Sequence, residues 1–168
     1  SEEESGDDSD VLSEENRSDF ERDIFEDESK FAPELPERYV IIGSIGKGGF
    51  AKAFLCRDNK LNRKVVIKIP FKQHTDKILY EARIQANFEH QNIVSIYDIN
   101  TSGRFPFIVM EYCSQGSLWN RIQAAGYLRD YEVNTVIRGV ANGLNEMQQK
   151  NITHKDLGPH PMCQDSCR

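Results

Sequence analysis

Between residues 38 and 71 the apolar positions fall in three short runs, Arg38–Ile45, Lys52–Arg57 and Lys64–Phe71, rich in the Val, Ile and aromatic side chains that suit strands. Glycines at 46, 48 and 49 break the first pair, and Asp58-Asn59-Lys60-Leu61-Asn62 breaks the second, so both gaps predict turns between paired strands. The period then lengthens. Ile78, Leu79, Ala82, Ala86 and Phe88 recur at three- and four-residue steps and predict a helix over 75–89. Asn92–Asn100 and Phe105–Cys113 predict two more strands, joined by Thr101-Ser102-Gly103-Arg104. Ser117 is placed to cap a short helix running to Ala125. Over 131–150, Val133, Val136, Ile137, Val140, Leu144 and Met147 line one helix face. Five strands with one helix inserted after the third, then further helices, is an α+β order rather than strict βαβ alternation.

Charge divides the chain. Residues 1–30 hold fourteen Asp/Glu against three Lys/Arg, while the whole chain carries only −6, so residues 31–168 are net basic by five. The acidic stretch cannot bury enough apolar surface to fold alone and is expected to be disordered. Ser18-Asp19-Phe20-Glu21 has the form of a capping box, and Phe20 and Ile24 behind it would share a face, which allows a short docking helix there. Pro33 and Pro36 separate this arm from the first strand. The weak positive balance beyond it suits a phosphate binder and is too small to indicate nucleic acid. No run approaches the roughly 20 apolar residues of a membrane span, and no secretory signal is visible. Cys56, Cys113, Cys163 and Cys167 form no disulfide framework, which points to a reducing, cytoplasmic setting. His160, Cys163 and Cys167 match no zinc spacing.

The chemistry concentrates in two places. Ile45-Gly46-Lys47-Gly48-Gly49-Phe50-Ala51-Lys52-Ala53 is a glycine-rich turn whose amides can approach phosphate oxygens without a side chain in the way. Fifteen residues after Ala53, Lys68 ends the apolar run Val65-Val66-Ile67 and offers one positive charge to the same phosphates. Gly46-x-Gly48-x-x-Ala51 also fits a dinucleotide fingerprint, but that needs a helix springing from the turn and an acidic residue about twenty positions on. A second β-run follows instead, and nothing acidic lies between Arg63 and Asp76. Glu81, thirteen residues beyond Lys68 on the predicted helix, can supply the counter-charge that keeps a buried-edge ammonium protonated. Phe107–Cys113 is a core strand running into a polar turn, whose end can lie beside an adenine, with the carbonyl of Glu111 and the N–H of Cys113 on the base edge. Asp156, in the loop after the long helix, is either a turn residue or a group that takes the proton of an attacking hydroxyl.

Together these motifs resemble the eukaryotic-type protein kinases, from about Tyr39 to Pro159. Ile45–Ala53 looks like the family's glycine-rich loop, with Ala51 for its third glycine and Ala53 for its usual valine; the wording is similar to polo-like kinases. Ile93-Val94-Ser95-Ile96-Tyr97-Asp98 is closer to bacterial-type serine/threonine kinases. Val65-Val66-Ile67-Lys68 looks like Val-Ala-Ile-Lys, and His90-Gln91-Asn92, nine residues after Glu81, like His-Pro-Asn. The resemblance implies ATP as the bound nucleotide, Mg²⁺ for the full-length family member and a protein substrate. It implies that Ile45–Ala53, Val66 and Lys68 contact ATP, with Glu81 pairing Lys68. Met110 becomes the gatekeeper, Glu111 to Cys113 the hinge, and Asp156 in His154-Lys155-Asp156 the base. The implied layout is an acidic tail over 1–32 and an incomplete kinase domain over 33–160. Within that domain the small lobe, a five-stranded antiparallel sheet with one helix, spans about 38–113, and the first large-lobe helices span 114–160.

The match then breaks. Gly158 stands where the serine/threonine branch has lysine, and Pro161 where the family has a metal-binding asparagine; a proline side chain offers metal no ligand. No Asp-Phe-Gly, activation segment or Ala-Pro-Glu follows, and 161–168 reads as unrelated sequence. The expectation is weak ATP binding without transfer by this chain, with the active kinase as its full-length parent. The alternative is a non-catalytic nucleotide-binding or protein-interaction module, with the acidic arm free to dock on basic surfaces.

Overall fold

The computed structural model describes Pro33, residues 35–103 and residues 105–154. The acidic arm and its Ser18 capping box, the base candidate Asp156, and Gly158, Pro161 and the terminal stretch lie outside the described residues. The elements run β1 (Tyr39–Lys47), β2 (Ala51–Asp58), β3 (Arg63–Pro70), a 3₁₀ turn (Lys72–His74), α1 (Thr75–Gln85), β4 (Ile96–Asn100), β5 (Phe107–Glu111), α2 (Leu118–Ala125) and α3 (Asp130–Gln149). The five strands form one sheet in the order β1-β2-β3-β5-β4, antiparallel at every pairing. No helix among the described residues is long and apolar enough to cross a membrane.

The turn between β2 and β3 has a local cause. Asp58 Oδ1 accepts from the amides of Lys60, at 3.0 Å, and Leu61, at 3.3 Å, and Asn62 takes the left-handed conformation with φ 48°. Arg38 closes the same corner, donating through Nε and Nη2 to the two oxygens of Asp58 at 2.8 and 2.7 Å. This holds the Asp58 carboxyl down at about 2.

Residues paired across antiparallel strands share a face. Ala53, Val66, Lys68, Ile108 and Met110 therefore stand on one side of the sheet, linked by the pairs Ala53–Lys68, Val66–Met110 and Lys68–Ile108. Helix α1 lies against this side, with Ile78, Leu79 and Ala82 on Ile108, Ile96 and Ile99. The opposite side carries Phe54, Cys56, Val65, Ile67, Ile69, Phe107 and Val109, each no more than 4% exposed. Burial on both sides explains why β3 reads as an unbroken apolar run rather than an alternation. Burial also pushes the Cys56 thiol up to about 11, so it is a packing residue and no nucleophile.

Two expectations change in the folded chain. Helix α1 stops at Gln85, and β4 begins only at Ile96; His90–Ser95 is a connection in which Asn92 N–H bonds His90 Nδ1 at 3.1 Å. In α3 the buried residues are Gly139 and Gly143; of the apolar stripe, Val136, Val140 and Met147 are half-buried beside them, while Val133, Ile137 and Leu144 are 36%, 61% and 36% exposed. Gly143 lets the helix backbone come close: a Cβ there would meet the carbonyl oxygen of Asn92 at 3.3 Å. The expected short helix is confirmed, with Ser117 Oγ accepting from Asn120 N–H at 3.1 Å and Gly126 ending it at φ 77°.

Candidate functional site

The β1–β2 hairpin forms the roof of the site. Gly48 N–H bonds the carbonyl of Ala51 at 2.9 Å, leaving Gly48–Phe50 as the tip. Gly46 and Gly49 both have open space where a Cβ would stand. Neither adopts a positive φ, so their value here is clearance rather than an unusual backbone angle. Strand β1 slips register against β2 twice, skipping Ile42 and Ile45. Such bulges add twist and re-aim the extra residue, and the second delivers Ile45 to the apolar floor.

That floor is a cluster of Val66, Val94 and Met110, with Ile45, Ala53, Ile96, Tyr112 and Cys113 packed against it. Five residues singled out from sequence, Ile45, Ala53, Val66, Met110 and Cys113, thus meet in one place although they come from β1, β2, β3, β5 and the segment after it. Val94, Ile96 and Tyr112 complete the cluster and were not anticipated. Only Tyr112 had a local signal, its place inside the expected hinge.

Lys68 sits one alternation beyond Val66 on the same face, opposite Ala53 in β2. Lys52 and Phe54 are on the other face; Lys52 is buried, and its ammonium lies 5.4 Å from the Phe54 ring centroid. Lys47 is exposed at the base of the tip, and Phe50 projects from it, 46% exposed. Glu81 is on the exposed flank of α1, its side chain 54% exposed and its carboxylate paired with Lys77 at 4.0 Å. That partner is a residue four positions earlier, a spacing that the sequence carried openly.

At the expected hinge, Glu111 N–H bonds Ser95 O at 2.9 Å, Glu111 Oε2 accepts from Ser95 N–H at 3.3 Å, and the carbonyl of Cys113 accepts from Gly116 N–H at 3.2 Å. Helix α3 ends in a Schellman motif: Asn151 takes φ 57°, its N–H bonds Gln148 O at 2.9 Å, and Ile152 N–H bonds Met147 O at 2.9 Å. The motif turns the chain into Thr153 and His154, the last described residues before Lys155 and Asp156.

A model of the protein kinase domain matches residues 39–163. The chain belongs to the protein kinase family. Among similar proteins are the serine/threonine-protein kinase PrkC of Bacillus subtilis, 35% identical over 129 residues. Sperm motility kinase 1 of Mus musculus is 32% identical over 124 residues. A probable serine/threonine-protein kinase of Clostridium acetobutylicum is 33% identical over 132. The alignments take in 73–75% of this chain but only 20–26% of these relatives' own lengths. The kinase-type sheet lobe expected from the motifs is the fold observed, and the kinase match reaches three residues into the stretch read as unrelated terminus.

Proposed function

We propose that this chain is the ATP-binding part of a protein serine/threonine kinase, which as a whole transfers the γ-phosphoryl group of ATP to protein hydroxyls. The observation that carries this is the gathering of Ile45, Ala53, Val66, Met110 and Cys113 into one apolar cluster on the sheet face that bears Lys68. Adenine has apolar faces and a polar edge, and the cluster supplies the first while the backbone of Glu111 and Cys113 supplies partners for the second. The triphosphate needs amides and an ammonium, and the clearance at Gly46 and Gly49 together with Lys68 suits it. The small lobe would span about 38–113 and the start of the large lobe 114–160, with Asp156 as the base that orients the substrate hydroxyl.

Pro161 stands where the family has a metal-binding asparagine, and a proline side chain offers Mg²⁺ no ligand. We therefore assign this chain nucleotide binding without transfer. A second reading, a non-catalytic nucleotide-binding and protein-interaction module, is favoured by the exposure of Val133, Ile137 and Leu144 on α3.

Thermal unfolding with ATP tests the reading. At a concentration a hundred times Kd, bound nucleotide stabilises the fold by about 2.7 kcal/mol, a rise of several degrees that Lys68→Ala abolishes. Absence of any ATP-dependent rise in the parent chain refutes the nucleotide site. Labelled ATP with Mg²⁺ should leave no label on protein substrates, and robust Lys68-dependent transfer by this chain overturns the assignment of binding alone.

A further inference from the structure

The peptide unit that joins Val94 to Ser95 is held by side chains at both of its polar ends. Its carbonyl accepts from Nε2 of Gln85, the last residue of α1, at 2.8 Å. Its N–H donates to Oε2 of Glu111, the last residue of β5, at 3.3 Å. The next carbonyl, that of Ser95, accepts from Glu111 N–H at 2.9 Å. A peptide unit is planar, so partners on opposite edges fix its tilt. That tilt bears on the apolar floor. Ile96 enters the floor from β4, opposite Met110, and ladder pairing sets its place. Val94 lies before β4 begins, yet its side chain is buried in the same floor with Val66 and Met110. Its place therefore follows from the peptide behind it, and so from Gln85 and Glu111. Gln85 is half-buried, on a helix whose buried residues are the apolar Ile78, Leu79 and Ala82. Its amide supplies the donor that a carbonyl in such a connection needs.

We propose that Gln85 and Glu111 form a polar clasp on the Val94–Ser95 peptide, and that the clasp sets how Val94 lies in the floor. Gln85 is thereby a positioning residue for the base of the nucleotide. It acts on the site only through Val94, and the proposal rests on the reading of that floor as the base site. The consequence is a division of labour within one ligand. Gln85 governs affinity for the nucleoside part, while the triphosphate, held at the glycine hairpin, is indifferent to it. One hydrogen bond of this kind is worth about two- to tenfold in an equilibrium constant.

The test displaces a fluorescent N-methylanthraniloyl derivative of ATP from the full chain with ATP, adenosine and inorganic triphosphate in turn. Gln85→Leu, which suits the helix and removes the donor, should weaken ATP and adenosine about two- to tenfold and leave triphosphate unchanged. Gln85→Glu at neutral pH, which sets an acceptor against the carbonyl, should lose at least as much. In a Val94→Ala background the loss from Gln85→Leu should vanish, because no floor side chain is left for the clasp to place. Unchanged adenosine binding by a folded Gln85→Leu or Gln85→Glu chain overturns the clasp. An equal loss for triphosphate, or a loss that survives Val94→Ala, also overturns it. A parent chain that binds neither ATP nor adenosine overturns the nucleotide reading alone, and hydrogen exchange without nucleotide then decides the clasp. Exchange of the Ser95 and Ile96 amides should quicken about two- to tenfold in Gln85→Leu, with β1 and β2 unchanged. Exchange at the parent's rate, or quickened equally in β1 and β2, overturns the clasp.

Discussion

Replacing Asp58 by asparagine removes one negative charge from a side chain that is fully buried, accepts two bonds from Arg38 and caps the β2–β3 turn. Its carboxyl is held at about 2, against a usual 3.8, chiefly by the Arg38 guanidinium and then by the turn amides. A depression of that size corresponds to about 2 kcal/mol of folding stability at neutral pH. The Arg38 side chain is 33% exposed, which screens the pair and brings the expected loss for Asp58→Asn to about 1–2 kcal/mol. Asn keeps an oxygen for the Lys60 and Leu61 amides; Asp58→Ala does not, and should lose about 3 kcal/mol because the turn loses its acceptor and the guanidinium its partner. Urea unfolding reads these losses as midpoint shifts of about 1 M or more at unchanged slope. The pH dependence has a fixed sign. The folded carboxyl titrates below the unfolded one, so its contribution is complete above about 4 and disappears as the pH falls towards 2. Subtracting the Asp58→Asn curve from the parent curve removes the titration of the many other carboxylates. A difference below about 0.5 kcal/mol at pH 7, or one that stays level from pH 5 to 2, refutes this account of the corner.

Ser117→Ala should cost about 1 kcal/mol by removing the cap on Asn120 N–H, measured as a lower urea midpoint and restored by Ser117→Asp. Gly143→Leu should separate α3 from the His90–Ile93 connection, because the added side chain starts 3.3 Å from the Asn92 carbonyl. The expected loss is about 2–3 kcal/mol, with faster hydrogen exchange over α3. Met110→Ala should open a cavity in the apolar cluster, cost about 2–4 kcal/mol in stability, and let the chain accept adenine analogues with added bulk, read by their thermal shifts.

The glycine turn, the strands and the capped short helix could be read from single segments because each has a local cause. Asp58 supplies its own turn, Ser117 its own cap, and β-branched runs need only a sheet to join. The apolar floor was legible residue by residue through the resemblance, yet Val94 and Ile96 were not, since nothing in an ordinary connection and edge strand announces that a cluster will close on them. Helical periodicity located the apolar stripe of α3 but not which part of it would be covered: Val136, Val140 and Met147 are half-buried beside Gly139 and Gly143, while Val133, Ile137 and Leu144 stay exposed.

By itself the sequence determined the order of the elements, the family, and the kinds of group available for a triphosphate, because these follow from spacing and from the chemistry of single side chains. Only the tertiary structure decided which of those groups meet. Two skipped pairings brought Ile45 onto the floor, sheet alternation sent Lys52 to the face opposite Lys68, and a neighbouring lysine took the Glu81 carboxylate. Pairing register and the competition among nearby charges are settled by the packed chain as a whole, and no local stretch of sequence records their outcome.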